Sequence, residues 1–279
     1  MSEIYYLLVR GGTACEKLYD TFEMKNRVVV TNTPIEVPKH QKNIVFQDVK
    51  FRYHRKKMVL RGLNLEIPFG QTIAICGSNG SGKSTIINLI CRFYDPSRGE
   101  VLLDGVSLRD VNPKKLRRQI AWVTQDAVLF QGTIRENIAY SKPDATMEQI
   151  QDAAGQALVT DFIDELPDGF DTQVGDAGKM ISGGQKQKIA LARAILSDPK
   201  ILILDEATSQ MDAHSRSSVH RNLQEFVKSR TTIIITHDTT SLCLAERIVF
   251  LRNGKLHRDW LTTEGQRDAR VIQRLLAAA

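Results

Sequence analysis

Residues 73–84 read Ile73-Ala74-Ile75-Cys76-Gly77-Ser78-Asn79-Gly80-Ser81-Gly82-Lys83-Ser84: an apolar run, a glycine-rich turn, and a Lys-Ser pair that opens a helical stretch. A continuous apolar run bounded by glycine suits a strand covered on both faces, as in a parallel sheet. The turn has the full P-loop spacing, and strand–turn–helix is the context that gives this spacing meaning. Glycines let the chain wrap closely around an anion, so that backbone N–H groups converge on it. The N-terminus of the following helix adds positive potential. Lys83 can reach the outer phosphates of a nucleotide, and the Ser84 hydroxyl can ligate Mg2+. The candidate phosphate cradle is therefore Gly77, Ser78, Asn79, Gly80, Ser81, Gly82, Lys83, Ser84 and Thr85.

Two further apolar runs, Ile201-Leu202-Ile203-Leu204 and Ile233-Ile234-Ile235, have the same character, with helical stretches at 83–94 and 185–196. Asp205 ends the first of them and Glu206 follows it. Successive strand residues point to opposite sides, so one carboxylate can hold a metal while the next addresses a water. Asp205 suits the Mg2+ role, on a strand expected to neighbour the P-loop strand. Glu206 suits a general base, a step worth about 10²–10⁴-fold. His237 stands at the end of the stretch 231–236. The carboxyl edge of an open α/β sheet is where ligands sit, and His237 could bond a γ-phosphate or an attacking water there; a purely structural histidine is the alternative.

Outward from this core, Val49, Phe51 and Tyr53 alternate with polar residues, as do Leu63, Leu65 and Ile67, which reads as half-buried antiparallel strands. Asp104-Gly105 and Asn253-Gly254 each lie between apolar runs and read as hairpin turns. The expected fold class is α/β: a P-loop NTPase with a RecA-like parallel core, an antiparallel β-subdomain, and a mostly helical insert at about 126–197. The expected boundaries are a helix and Pro34/Pro38 linker at 1–43, the compact unit at 44–255, and a tail at 256–279.

Composition sets outer limits. The chain has 279 residues, 42% hydrophobic and 25% charged, ordinary values for a soluble globular protein. Its formal net charge of +6 suits a phosphate ligand, a nucleic acid or an anionic membrane face alike. The four cysteines, Cys15, Cys76, Cys91 and Cys243, lack metal-ligand spacing and read as reduced thiols. No run reaches the roughly 18 apolar residues of a membrane span. The stretch 4–9 is short and follows Glu3, unlike a signal peptide.

A second anion-type site lies at Ser182-Gly183-Gly184-Gln185, before a helical stretch. Ser182 can cap that helix, and the glycines leave its first N–H groups open. The spacing alone leaves open whether the two sites bind two ligands or share one.

With these motifs in place the sequence is similar to the ABC ATPase family over about residues 44–255. The stretch 77–84 and Leu204-Asp205-Glu206 resemble its two Walker motifs, and Ser182-Gly183-Gly184-Gln185 resembles its signature. The stretches 94–96, 116–120, 123–126, 129–138 and 166–175 resemble the exporter branch, where the cassette follows a six-helix membrane domain. Residues 1–25 resemble the cytosolic end of the last of those helices. The resemblance implies ATP hydrolysis with Mg2+, with Lys83, Gln125, Glu206 and His237 catalytic. It implies Ser84, Gln125 and Asp205 as Mg2+ ligands and Tyr53 stacked on adenine. Ser182, Gly183, Gly184 and Gln185 would close over ATP held by a second cassette, head to tail, in a homodimer or heterodimer, with Asp212 at that contact. The membrane domain of an exporter, approached at the cytoplasmic face, is the other implied partner; nucleic acid is not. Asp176-Ala177-Gly178, Gln210-Met211, Asp238 and the tail from His257 depart from the exporter pattern. The alternatives are a non-hydrolysing or vestigial regulatory cassette and, on the basic clusters at 52–57 and 114–118, a nucleic-acid-acting ABC ATPase.

Overall fold

The computed structural model describes residues 5–6, 9–12, 15, 28–31, 33–53, 57–175, 181–236 and 238–262. Its strands are β1 (Asn43–Phe51), β2 (Leu60–Pro68), β3 (Thr72–Gly77), β4 (Arg98–Leu103), β5 (Val106–Ser107), β6 (Ile120–Val123), β7 (Ile201–Asp205), β8 (Thr231–Ile235), β9 (Arg247–Arg252) and β10 (Lys255–Leu261). Its helices are α1 (Lys83–Ile90), α2 (Pro113–Arg117), α3 (Ile134–Ala139), α4 (Met147–Gln156), α5 (Thr160–Ile163), α6 (Gly183–Leu196), α7 (Ala213–Val227) and α8 (Thr239–Leu242).

The strands form two sheets. One is antiparallel, in the order β2-β1-β4-β5; the other has the order β10-β9-β3-β8-β7-β6. In the second sheet β6, β7, β8, β3 and β9 run parallel, and β10 returns antiparallel along β9. The two-residue alternation of a strand divides the apolar runs between two cores. Ile73, Ile75, Ile201, Ile203, Ile233 and Ile235 face the antiparallel sheet and α1. Ala74, Cys76, Leu202, Leu204 and Ile234 face the cluster built from the helical insert and α7. Both faces being covered is why these segments read as unbroken apolar runs.

Local chemistry sets the ends of the elements. Thr133, Thr146 and Ser182 open α3, α4 and α6 with capping boxes completed by Glu136, Gln149 and Gln185. Asp104 and Gly105 have φ of 52° and 87°, and Asn253 and Gly254 have 51° and 75°. Paired positive φ is the signature of the tight turn that matches strand twist, so both expected hairpins form. The helix expected over 83–94 stops at Ile90, because Arg92 turns to φ 48° and buries its guanidinium on the carbonyls of Val111 and Val29 and on Asp95.

Two further expectations are corrected. The strand carrying Asp205 does not adjoin the P-loop strand: β8, which leads to His237, lies between β3 and β7. The expected tail boundary at 255/256 falls at the start of β10, whose residues to Leu261 pair with β9. Pairing of β10 with β9, invisible in its polar sequence, carries the sheet past that boundary. Residues 5, 6, 9–12 and 15 are helical, and much of the segment 1–43 lies outside the described residues. No helix among the described residues is long and apolar enough to cross a membrane.

Candidate functional site

The glycine turn hangs from the carboxyl end of β3, and its glycines are there for space as well as conformation. Gly77 has φ 144°, and a Cβ on it would run into the Leu251 carbonyl of β9 and lie 2.8 Å from the Ser81 Oγ. Gly82 has φ 112°, with Leu60 Cδ2 at 2.7 Å from the same hypothetical atom. Any L-residue would be strained at both positions. The buried Lys83 threads back under the turn and donates to the carbonyls of Gly77 at 2.8 Å and Ser78 at 3.2 Å. Burial pulls its pKa down, and neighbouring charge opposes that fall. The Cys76 thiol is pushed up to about 12 by burial, so it is neutral at pH 7. The attraction Lys83 feels therefore comes from Glu206 and Asp205.

Those two carboxyls end β7. Burial and the neighbouring Glu206 raise the Asp205 pKa, while Lys83 opposes the shift. A carboxyl crowded in this way gains most from a bound cation. Glu206 has φ 50°, in the left-handed region. A conformation of this kind costs on the order of 1–3 kcal/mol and persists where the surroundings over-determine it. Both peptide groups of Glu206 are tied: its N–H donates to Ile235 at 2.8 Å, and its carbonyl accepts from Gln187 at 3.3 Å.

One cleft of about 480 Å3 gathers many of the expected residues, while Gly77, Ser78 and Ser81 of the turn do not line it. Asn79, Gly80, Gly82, Lys83, Ser84 and Thr85 form one wall; Asp205, Glu206 and Gln125 form another; Tyr53 stands at the end. Tyr53 lies just past β1, edge-on to Phe51 and Tyr94. Its hydroxyl meets the Thr85 hydroxyl at 3.0 Å and accepts from Asn88 at 2.9 Å, so α1 fixes the ring beside the turn. It is thus partly packed and partly a cleft wall. Ser84, Asp205 and Gln125 together offer hydroxyl, carboxylate and amide oxygens, a hard donor set that fits Mg2+. Ser81 Oγ is buried in the turn with no hydrogen-bond partner among the described residues.

The second expected anion site stands apart, since none of Ser182, Gly183, Gly184 and Gln185 lines this cleft. Ser182 Oγ accepts from the Gln185 N–H at 3.3 Å, and Gln185 Oε1 accepts from the Ser182 N–H at 2.9 Å. Gly183 packs on the Gln210 side chain, and a Cβ on Gly184 would lie 2.9 Å from the Gln210 carbonyl. Asp212 caps α7, its carboxylate accepting from the Ser215 N–H at 2.9 Å, and that bonding holds its pKa down to about 2. His237 and the stretch 176–180 lie outside the described residues.

Asp238, one of the departures from the exporter pattern, caps α8 and pairs with Arg216 at 2.8 Å. Arg216 also donates to the Met211 carbonyl at 2.9 Å. Burial opposes ionisation of Asp238, but hydrogen bonds from Thr240 and the Arg216 charge hold its pKa below the ordinary value. Sequence reasoning did not single out Gln187, which is fully buried on α6 and bonded to the loop after β6 and the loop after β7. The available signal was a glutamine four residues before Leu191, on a helix face otherwise small or apolar.

Comparison with known proteins places these features in context. The sequence pattern of the ABC transporter family matches residues 60–209. The chain is 40% identical over 271 residues to an ATP-dependent lipid A-core flippase of Desulfotalea psychrophila, covering 95% of this chain and 47% of that protein. It is 47% identical over 230 residues to multidrug resistance protein homolog 65 of Drosophila melanogaster, covering 80% of this chain and 18% of that protein. Among solved structures, a bacterial Atm1-family ABC exporter with ATP bound superposes with a TM-score of 0.86 at 33% identity, over 98% of this chain and 48% of that one. The chain thus spans about half the length of the flippase and of the exporter, and less than a fifth of the multidrug resistance homologue.

Proposed function

The chain belongs to the ABC transporter family, and from that premise we propose that it binds and hydrolyses MgATP as the motor cassette of an exporter. The observation that carries this reading is the single cleft that joins the P-loop, Asp205, Glu206, Gln125 and Tyr53. The turn amides and Lys83 hold the phosphates of ATP, Tyr53 stacks on its adenine, and Glu206 takes the proton of the attacking water. Magnesium, held by Ser84, Asp205 and Gln125, would neutralise phosphate charge. His237 is proposed to bond the γ-phosphate or the water.

Because the signature segment 182–185 stands outside its own cleft, we assign it to the ATP of a second cassette. That pairing gives the two anion sites one meaning and makes ATP the contact between partners. Asp212, capping α7 at an exposed turn, is proposed to lie at the same contact. A separate groove of about 810 Å3 runs between α6 and β6, with Phe130, Val128, Arg118 and Lys114 on its rim. It supports docking of a membrane domain at the cytoplasmic face, next to Gln125.

The test is phosphate release by the chain at high protein concentration, where an untethered partner is within reach. Glu206→Gln should keep ATP binding and lower turnover about 100-fold or more. Absence of phosphate release from the unmodified chain would overturn the hydrolytic reading in favour of a regulatory cassette.

A further inference from the structure

The Gln187 side chain lies in the first turns of α6, four residues after Gly183 and therefore on the same helix face. It is completely buried. Its amide nitrogen lies 3.1 Å from the Gln125 carbonyl, 3.3 Å from the Glu206 carbonyl and 3.3 Å from the Ser209 hydroxyl. Its amide oxygen accepts from the Gln210 N–H at 2.9 Å. The assignment of N and O is forced: reversed, the oxygen would face two carbonyls and the nitrogen would face an N–H. One side chain thus ties the loop after β6, the loop after β7 and the first turns of α6.

Two of its partners are backbone carbonyls of residues that the proposed function relies on, Gln125 and Glu206. Gln125 and Glu206 both line the nucleotide cleft, and Glu206 sits at φ 50° with its carbonyl held by Gln187. Freed from that bond, the Glu206 peptide can relax toward an ordinary conformation and carry the carboxylate with it. Gln210, the fourth partner, covers Gly183 and Gly184. We propose that Gln187 is a positioning residue for hydrolysis: it holds the Glu206 and Gln125 peptides in catalytic register and fixes that register to the helix bearing the signature segment. Through it, a shift of α6 moves the carboxylate of the same chain's cleft. Gln187 itself does not line the nucleotide cleft.

This rests on the ATPase reading, and the experiment separates the two. ATP affinity, thermal midpoint and steady-state phosphate release are measured for the full chain, Gln187→Met and Gln187→Glu. Methionine fills the volume without donors. Glutamate keeps an acceptor toward Gln210 N–H but, when ionised, faces two carbonyls; buried there, its pKa is raised. The expected result is an ATP affinity within about twofold of wild type and a kcat lower by about tenfold in both variants, the cost of a misplaced catalytic group. Acidification should restore the donor in Gln187→Glu, so its kcat relative to wild type rises as pH falls, while the Gln187→Met ratio stays flat. A purely structural glutamine would give no such divergence.

If the unmodified chain hydrolyses ATP and both variants match it, the positioning role is overturned and the ATPase reading stands. Parallel losses of ATP affinity and kcat also overturn it. If the unmodified chain releases no phosphate, the ATPase reading itself fails, and this role with it. Should Gln187→Met not fold, Gln187→Glu decides alone: wild-type kcat across the whole pH series, its alkaline end included, or a deficit that acid does not relieve, overturns the proposal.

Discussion

Gly82 shows how much a single position contributes to the site. Its φ of 112° and the 2.7 Å approach of Leu60 to a would-be Cβ mean that Gly82→Ala must both strain the backbone and displace a buried leucine. The expected outcome is a loss of on the order of 2 kcal/mol in stability and weakened ATP binding, read by chemical denaturation and calorimetry; an unchanged midpoint would contradict the close packing. Lys83→Ala should weaken ATP affinity without unfolding the protein, because the hydrogen bonds of its side chain among the described residues go to the turn carbonyls of Gly77 and Ser78; equal affinity by calorimetry would contradict the cradle assignment. Residues such as Gly82, Lys83 and Asp205 are legible in the sequence because their partners are close in the chain or because strand ends converge by rule. Gln187 and Arg216 are not, since their bonds reach Gln125, Glu206 and Asp238 across the fold. A polar residue of this kind looks like surface until the loops are brought to it.

At the scale of elements, α6 deserves comparison with its own cap. Ser182 and Gln185 satisfy each other's backbone N–H groups, so Ser182→Ala removes one half of a reciprocal pair. The expected cost is about 1 kcal/mol of stability, seen as a lower denaturation midpoint. If the segment also meets a partner's ATP, the same change should raise the protein concentration needed for half-maximal phosphate release; a pure stability loss would leave that concentration unchanged. The strands were the most legible elements, since double coverage leaves an unmistakable apolar run, as in β3, β7 and β8. Their order was not: adjacency of β8 to both β3 and β7 depends on crossovers through α1, the helical insert and α7, which leave no trace in any one strand. The end of α1 was likewise hidden, because it depends on Arg92 finding Val111 and Val29.

For the whole molecule, two buried imidazoles predict how stability responds to acid. His220, between the hydroxyls of Thr208 and Ser241, is held neutral by burial with its pKa lowered to about 4, Asp238 pulling up and Arg216 pulling down. His40 is also lowered by burial, against the pull of Asp104. The unfolded chain takes up these protons near pH 6.5, before the folded chain does, so stability is full above that pH and falls on acidification toward pH 4. His220 contributes up to about 3 kcal/mol to that fall. Urea unfolding of wild type and His220→Gln at about pH 7 and pH 4.5 should give a shallower pH dependence for the variant; parallel slopes would remove His220 as a cause. The C-terminal hairpin has a practical consequence for preparing this protein. β10 is rich in charge, with Lys255, His257, Arg258 and Asp259, and presents a poor template to other chains. A chain trimmed at 255 would bare the backbone of β9, whose Ile248, Val249 and Leu251 invite a neighbouring copy to zip alongside. Such a trimmed product should precipitate on purification, whereas one ending after Thr262 should stay dispersed.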